Sequence, residues 1–409
     1  MVPKRAFFGT FWRGGLGAIG RCLSIAQSLK SLGFSCYFFA EDVAESFVCQ
    51  AGFIPVRPPQ VAPPREGFGS PYVSEQRVVG VGAVFSNLGE FYAMRGYGDS
   101  EYVERAFGAR FRTIENIGPD ILFGYWSWET TIAARVIKKP LVGIIQQSLH
   151  PSGGGFIDVQ GSARKTQPLD SFNNLLKKLH HPSIDAVEEL MMGDVTLISG
   201  VPSTDQLPVD DRTRYCGPLL WFPRRGKNQL QSIPKDRKVA WVYGTDCDSW
   251  VGGRFLIREI VPLLADMGFF VLISSGGHRM PLVHHPEVLC VENIPGDLAA
   301  RRAELVVGRG GHDLFWTAIM AGKPFFGAPP NSEWLNYCQC ARSLGVGDYV
   351  EIDSMNRSEI VYKIGRLVTS SQVAIRIEEL RLEAEKCAAR TSPLSVLQEF
   401  WPELLTEIT

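Results

Sequence analysis

Two stretches of this chain, about 235 residues apart, open with the same series of elements, and that doubling limits the folds open to it. The first reads Arg5-Ala-Phe-Phe-Gly-Thr-Phe-Trp-Arg-Gly-Gly-Leu-Gly. A short apolar run enters a glycine loop, and a helical pattern follows from about Gly20 to Leu32 with Leu23, Ile25, Ala26 and Leu29 on one face. Gly33 closes it, and Phe34–Phe39 reads as the next strand. The second begins Val239-Ala-Trp-Val-Tyr-Gly-Thr, passes Gly252-Gly253, continues through Ile257, Ile260, Leu263 and Leu264, and closes at Gly268 before the strand Phe269–Ile273. Gly9-Thr10 answers Gly244-Thr245, Gly14-Gly15 answers Gly252-Gly253, and Gly33-Phe34 answers Gly268-Phe269. Three matches in one order predict two similarly built α/β domains.

Each half goes on as alternating strands and helices. Further strands are expected near Ile121–Phe123 and Leu141–Ile145, then near Val288–Val291, Leu305–Val307 and Phe325–Gly327. Such alternation implies parallel sheets covered on both faces, with ligands at the carboxyl ends of the strands. The expected division is a first domain over 1–207, a linker over 208–236 rich in proline, and a second domain over 237–390. A terminal helix within 391–409 is expected to pack back on the first domain. A chain of 409 residues has length for two such cores. Residues 56–100 break the alternation. They are rich in proline and glycine, with Phe68, Tyr72, Phe85, Phe91, Tyr92 and Tyr97 interleaved, and read either as a wall of a ligand pocket or as an ordinary packed loop.

Composition removes several classes of function. The formal net charge is −1, so no basic surplus exists to neutralise a phosphate backbone, and nucleic acid is not an expected partner. The longest apolar runs have strand length, so no membrane insertion is expected. The nine cysteines have no paired spacing and no signal peptide precedes them, which reads as reduced thiols in the cytoplasm.

The stretch richest in chemistry is Val307-Gly-Arg-Gly-Gly-His-Asp-Leu-Phe-Trp-Thr-Ala-Ile-Met-Ala-Gly-Lys-Pro. A strand ends at Val307, glycines turn the chain, and an apolar helix begins near His312. Backbone N–H groups at such a turn form an anion site that the helix dipole strengthens. Arg309 adds a charged fork able to grip a pyrophosphate, and Gly310 and Gly311 let the backbone approach it.

The neighbourhood of this stretch resembles the macrolide- and UDP-type glycosyltransferases of the GT-B fold. Arg309-Gly-Gly stands where that family has histidine-glycine-glycine, Gly322-Lys-Pro324 matches its glycine-x-proline, and Pro329 its next proline. Ser332-Glu333-Trp-Leu-Asn336 falls on the family's acidic-glutamine-x-x-asparagine element, and Leu344-Gly-Val-Gly follows. Upstream, Tyr215-Cys-Gly-Pro-Leu-Leu resembles the interdomain segment, Val239–Thr245 the strand and glycine-threonine loop, Ser275-Gly-Gly277 the next strand end, and Val291-Glu-Asn-Ile-Pro295 the segment facing the base. The resemblance implies two Rossmann-like domains facing across a cleft, an acceptor-binding domain over 1–207 and a nucleotide-sugar-binding domain over 237–390, with residues 56–100 as a wall of the acceptor pocket. It implies a donor site built from Gly15, Gly244, Thr245, Ser275, Gly276, Asn293, Ile294, Arg309, Gly310, Gly311, His312, Asp313, Glu333 and Asn336. The donor is then a UDP- or dTDP-type sugar, bound as co-substrate with no cofactor and no metal. The family glutamate for the ribose falls at Thr317. Asp246-Cys-Asp248 has the form of a metal-binding motif from another glycosyltransferase fold, but a solvated loop is the expected reading.

The acceptor half departs further from the family. Inverting transfer needs a base to take the acceptor's proton. Ala18 stands at the family histidine, and Gly124 or Tyr125 near the position of the orienting aspartate. The loop from Gly14 to Ala26 also resembles that of nucleotide-sugar hydrolases. Three explanations follow: Glu129 or His150 is the base, the acceptor is an amine or carboxylate that needs none, or the protein binds without catalysing. Trp126 and Trp128, with Phe91 and Tyr92, are the expected acceptor contacts, core packing being the alternative for the tryptophans. The leading expectation is an inverting, metal-independent transfer to a small acceptor of the natural-product type, with a homodimer left open. The alternatives are a nucleotide-sugar hydrolase or epimerase of the same fold, and an inactive nucleotide-sugar-binding partner protein.

Overall fold

The computed structural model describes residues 3–10, 16–62, 86–156, 168–224, 227–244, 251–276, 283–330, 332–352 and 355–405. They form two compact units. The first takes the described residues up to 221 and returns from 384 onward; the second spans 222–383.

The first unit holds a parallel sheet in the order β3-β2-β1-β4-β5-β6-β7. Its strands are β1 (Arg5–Gly9), β2 (Ser35–Phe39), β3 (Ile54–Val56), β4 (Ile121–Gly124), β5 (Leu141–Ile145), β6 (Val195–Ile198) and β7 (Thr213–Tyr215). The centre of the sheet is aromatic: Phe8 stacks on Phe38 on one side and on Phe123 on the other, each at 4.5 Å between ring centroids. Such cross-strand ring pairs add to the area they bury and hold the register Phe8↔Phe123. The helix Leu16–Lys30 starts four residues earlier than the periodicity alone suggests, because its first turn takes up the glycines that the sequence reading assigned to the loop.

The second unit repeats the plan with the order β10-β9-β8-β11-β12-β13. The strands are β8 (Val239–Tyr243), β9 (Phe270–Ser274), β10 (Val288–Val291), β11 (Leu305–Gly308), β12 (Phe325–Gly327) and β13 (Gly347–Tyr349). Phe315, Trp316, Phe325 and Phe326 are fully buried; the two neighbours on β12 point to opposite faces of the sheet, and Phe325 meets Phe315 at 6.1 Å between ring centroids. In both units the strand order reverses beside the first strand, between β1 and β4 and between β8 and β11, which is where open α/β sheets form their ligand crevice.

Among the described residues the chain passes between units twice. It leaves the first near Trp221, within residues 208–236, and returns inside the continuous helix Ser371–Arg390 rather than at its end. The next helix, Pro393–Phe400, packs on Leu16–Lys30, and Arg214 holds Glu399 through two nitrogens at 2.6 and 2.8 Å. Gly217, at φ +69°, lets the segment after β7 pass within 2.8 Å (measured from an added Cβ) of the Ala384 carbonyl oxygen. No helix of the described residues is long and apolar enough to cross a membrane.

Candidate functional site

The donor-side residues gather at the carboxyl edge of the second sheet. Gly244 follows β8, Ser275 and Gly276 follow β9, Asn293 and Ile294 follow β10, and Arg309 to Asp313 follow β11. Thr245, Gly15 and the Asp246-Cys-Asp248 motif lie outside the described residues.

The turn after β11 is shaped by the helix Ser332–Leu344. Gly310 has φ +114°, a region that L side chains rarely adopt. A Cβ there would sit 2.6 Å from the Trp334 carbonyl oxygen and run into the Cys338 thiol. Gly311 caps the helix His312–Met320 in an extended conformation, with the Trp334 ring 3.4 Å from where its Cβ would be. A Cβ on Gly308 would strike the Leu314 side chain. Glycine is needed at 308 and 310 because two helices close on one turn, while at 311 a Cβ would only touch the Trp334 ring. The same device appears in the first unit, where a Cβ on Gly9 would strike Thr130 and lie 2.7 Å from the Ser127 hydroxyl.

Arg309 is half-buried, with its guanidinium carbon 4.3 Å from the centre of the Trp334 ring. Burial pushes the Tyr243 phenol up to about 12; the Arg309 charge opposes this shift and Asp313 adds to it. The helix His312–Met320 leaves its first N–H groups without intrahelical partners, as every helix does, and its dipole favours an anion beside Arg309. The His312 ring is buried, edge-on to Tyr337 at 5.1 Å, with Nδ1 2.9 Å from an Asp313 carboxylate oxygen. The ring thus packs against the helix Ser332–Leu344. Thr317, at the family's ribose position, donates its hydroxyl to the Asp313 carbonyl at 2.6 Å and is occupied inside its own helix.

On the first turn of Ser332–Leu344, Glu333 and Asn336 are half-buried. Ser332 is fully buried, and its hydroxyl meets no hydrogen-bond partner among the described residues. Glu333 is thus the carboxylate this element presents. Around the rim, Ser275 is buried and donates to the Glu292 carbonyl at 3.3 Å, Ile294 is buried, and Asn293 bonds Glu292 at 3.3 Å.

The first unit revises the acceptor-side expectations. Glu129 is 2% exposed and forms an ion pair with Arg110, itself 4% exposed. Arg110 also donates to the Tyr97 hydroxyl at 3.1 Å, and the Ser127 hydroxyl lies 3.4 Å from the other Glu129 oxygen. A base must come within about 3 Å of the proton it removes, and this carboxylate is sealed in the core. Trp128 is fully buried between Tyr97 and Phe172, at 5.4 and 5.0 Å, so it packs the core and does not face an acceptor. Tyr92 is buried too; its hydroxyl donates to the Trp126 carbonyl at 3.2 Å, and burial drives the phenol far above its usual range. Trp126 adopts φ +55° and is held between Phe91 at 4.9 Å and Phe156 at 5.8 Å. Of the four aromatic residues only Phe91 keeps appreciable exposure, and the Arg95 guanidinium lies over its ring at 4.5 Å.

His150 is 9% exposed, and its Nδ1 accepts the Ser152 N–H at 3.0 Å. That bond assigns the neutral ring proton to Nε2, so the outer nitrogen is a donor and not a base. Burial lowers its pKa below the ordinary 6.5, with Asp210 partly opposing. The folded protein therefore refuses a proton that the unfolded chain accepts. Stability should fall as the pH drops through about 6.5 and level off below the depressed folded value. In His150→Gln the dependence of the melting temperature on pH between about 5 and 7.5 should flatten. An unchanged slope would mean that the imidazole titrates alike in both states.

Sequence reasoning missed the groups that organise both sites. Trp334 was passed over as a spacer between Glu333 and Asn336. Arg110 carries a readable signal: Val103, Ala106, Phe107, Arg110 and Ile114 form one buried stripe, and a cation on such a stripe demands a buried partner. A second buried guanidinium, Arg21, donates to the Tyr125 hydroxyl and reaches Gln146 at 3.3 Å, beside the helix turn that carries Ala18.

No family model matches the chain. In sequence it is 24% identical over 326 residues to a PGL/p-HBAD biosynthesis rhamnosyltransferase of Mycobacterium bovis (strain BCG / Pasteur 1173P2), covering 70% of this chain and 68% of that one. Among solved structures it resembles the spinosyn rhamnosyltransferase SpnG, with a TM-score of 0.69 at 14% identity over 96% of this chain and 100% of that one. It also resembles the Streptomyces sp. SF2575 glycosyltransferase SsfS6 complexed with thymidine diphosphate, with a TM-score of 0.64 at 15% identity over 94% and 96% of the two chains. These matches run through both units, and the chain has the GT-B fold of two Rossmann-like domains.

Proposed function

We propose that this chain, built on the GT-B glycosyltransferase fold, is an inverting, metal-independent glycosyltransferase that uses a dTDP- or UDP-activated sugar and a small-molecule acceptor. The observation that carries this reading is the Gly308–Asp313 turn. A glycine-lined helix N-terminus and an arginine meet at the point where the strand order reverses, beside Glu333 and Asn336. In this reading the helix N–H groups and Arg309 take the diphosphate, and Glu333 and Asn336 take the sugar hydroxyls. The acceptor attacks the anomeric carbon as the bond to the diphosphate oxygen breaks, and the acceptor's proton leaves to solvent or a base. The charge that develops on the departing diphosphate is met by dipoles and a cation already in place. Positive charge from Arg309 supplies what a metal ion supplies elsewhere, and the family resemblance supports inversion by a single displacement.

A rhamnose-type deoxysugar is the donor we favour, since both the sequence relative and a structural neighbour are named rhamnosyltransferases. Neither Glu129 nor His150 is set to take a proton. An acceptor whose nucleophile is an amine or a carboxylate therefore fits this reading better than an aliphatic alcohol.

Calorimetric titration with UDP, dTDP and GDP tests the donor half. Binding of dTDP or UDP with a dissociation constant in the micromolar range is expected, and failure of all three to bind would sink the proposal. With a rhamnosyl donor and an acceptor panel, a chelator should leave turnover unchanged, and the product should carry the anomeric configuration opposite to the donor.

A further inference from the structure

We propose that Trp334 is a positioning residue for the donor diphosphate: its ring holds the Arg309 guanidinium in place, so the helix that meets the sugar also sets the cation that meets the phosphates. The inference rests on the donor reading above and concerns a residue that the motif there leaves without a role.

The geometry is local and specific. Trp334 follows Glu333 and precedes Asn336 by two positions on the first turn of Ser332–Leu344. Glu333 and Asn336 are three apart and share a helix face, whereas Trp334 is turned about 100° from Glu333. That turn carries its ring against the glycine loop, 3.4 Å from the Cβ position of Gly311 and 4.3 Å from the Arg309 guanidinium carbon. Its carbonyl oxygen closes on Gly310, at 2.6 Å from the Cβ position. One residue thus contacts the three consecutive positions 309, 310 and 311, with its ring on two of them and its backbone on the third.

The chemistry explains why an aromatic group suits this place. A long arginine side chain loses much rotamer freedom when it is fixed on an anion, and prior ordering removes part of that cost. A carboxylate would order it through the same in-plane donors that a phosphate needs, and would cancel its charge. A π face attracts the guanidinium through the ring quadrupole and leaves its charge intact.

The test reads the diphosphate increment, defined as the ratio of the dTMP to the dTDP dissociation constant, by calorimetry on the full chain. Trp334→Leu should lower this ratio by roughly tenfold, and Trp334→Phe, which keeps a ring, should retain most of it. In an Arg309→Ala background, Trp334→Leu should change the ratio no further, because the interaction is already absent. A ratio that Trp334→Leu leaves at its original value overturns the inference while the donor reading stands. The same holds for an equal drop with and without Arg309, since that drop is a general loosening of the turn. If the unaltered protein shows no diphosphate increment at all, the donor reading falls and the inference falls with it.

Discussion

Arg309→Ala should weaken dTDP or UDP binding by about 10²-fold and dTMP or UMP binding far less. Hydrogen bonds to charged groups contribute about 1.5–3 kcal/mol each, and an arginine fork offers two to a diphosphate. The side chain is half-buried beside a helix N-terminus, where competing water is reduced and the dipole has the same sign. Arg309→Lys should recover only part of the loss, because a lysine brings a point charge without the fork and stacks less well on Trp334. The effect on turnover should exceed the effect on binding, since the charge on the diphosphate grows as it leaves. Calorimetry on the three proteins with di- and monophosphates checks the first part, and turnover with a rhamnosyl donor the second. Equal losses for mono- and diphosphate would show that the guanidinium serves the packing of the turn and not the anion.

The fold was largely legible because the long, apolar, central strands carry their own signal. Val239–Tyr243 is an apolar run that ends at Gly244, Leu141–Ile145 is an apolar run around Gly143, and both form strands at those residues. The strands that escaped notice are mostly short edge strands. β3, β7 and β13 have three residues each, too few for a period to show, and β3 contains Pro55, which a sheet tolerates at its edge. Their pairing comes from the neighbouring strand and not from their own composition. The repeat of the two openings was readable for a physical reason. The first strand of each half runs into the point where the strand order reverses and turns there on glycine, at Gly9 at the end of β1 and at Gly244 after β8.

The sites were legible by halves. Gly310 and Gly311 announce a tight turn, and the sequence places that turn between a strand and a helix. That Trp334 closes it from 24 positions further on depends on how two helices pack, which no local pattern encodes. On the other side, Trp126, Trp128 and Glu129 sit at a strand end and look like site residues for that reason. Their exposure is decided by the helices laid over them: Ser100–Ile117 brings Arg110, and Leu169–Lys178 brings Phe172. Residue type at a strand's carboxyl end points to a site only where the covering elements leave it open.

Glu129→Gln should therefore cost stability and spare the chemistry. The substitution leaves the Arg110 guanidinium in the core without its counter-charge, and losing one member of a buried ion pair typically costs about 3–5 kcal/mol. For a domain of about 200 residues, each 1 kcal/mol lowers the melting temperature by roughly 2–4 °C, so a fall of about 10 °C is expected. Turnover measured well below the new melting temperature should stay within a factor of about 3, because no acceptor reaches a carboxylate that is 2% exposed. Replacing both partners, Arg110→Met with Glu129→Leu, should restore most of the stability, since an apolar pair of similar volume carries no desolvation cost. Thermal melting of the single and double variants, paired with rates on the folded protein, separates the two roles. A rate reduced by about 10² with an unchanged melting temperature would make Glu129 the transfer base after all. In that event the helices over it would have to open for the acceptor to enter, and the Arg110 pair would be the latch that holds them shut.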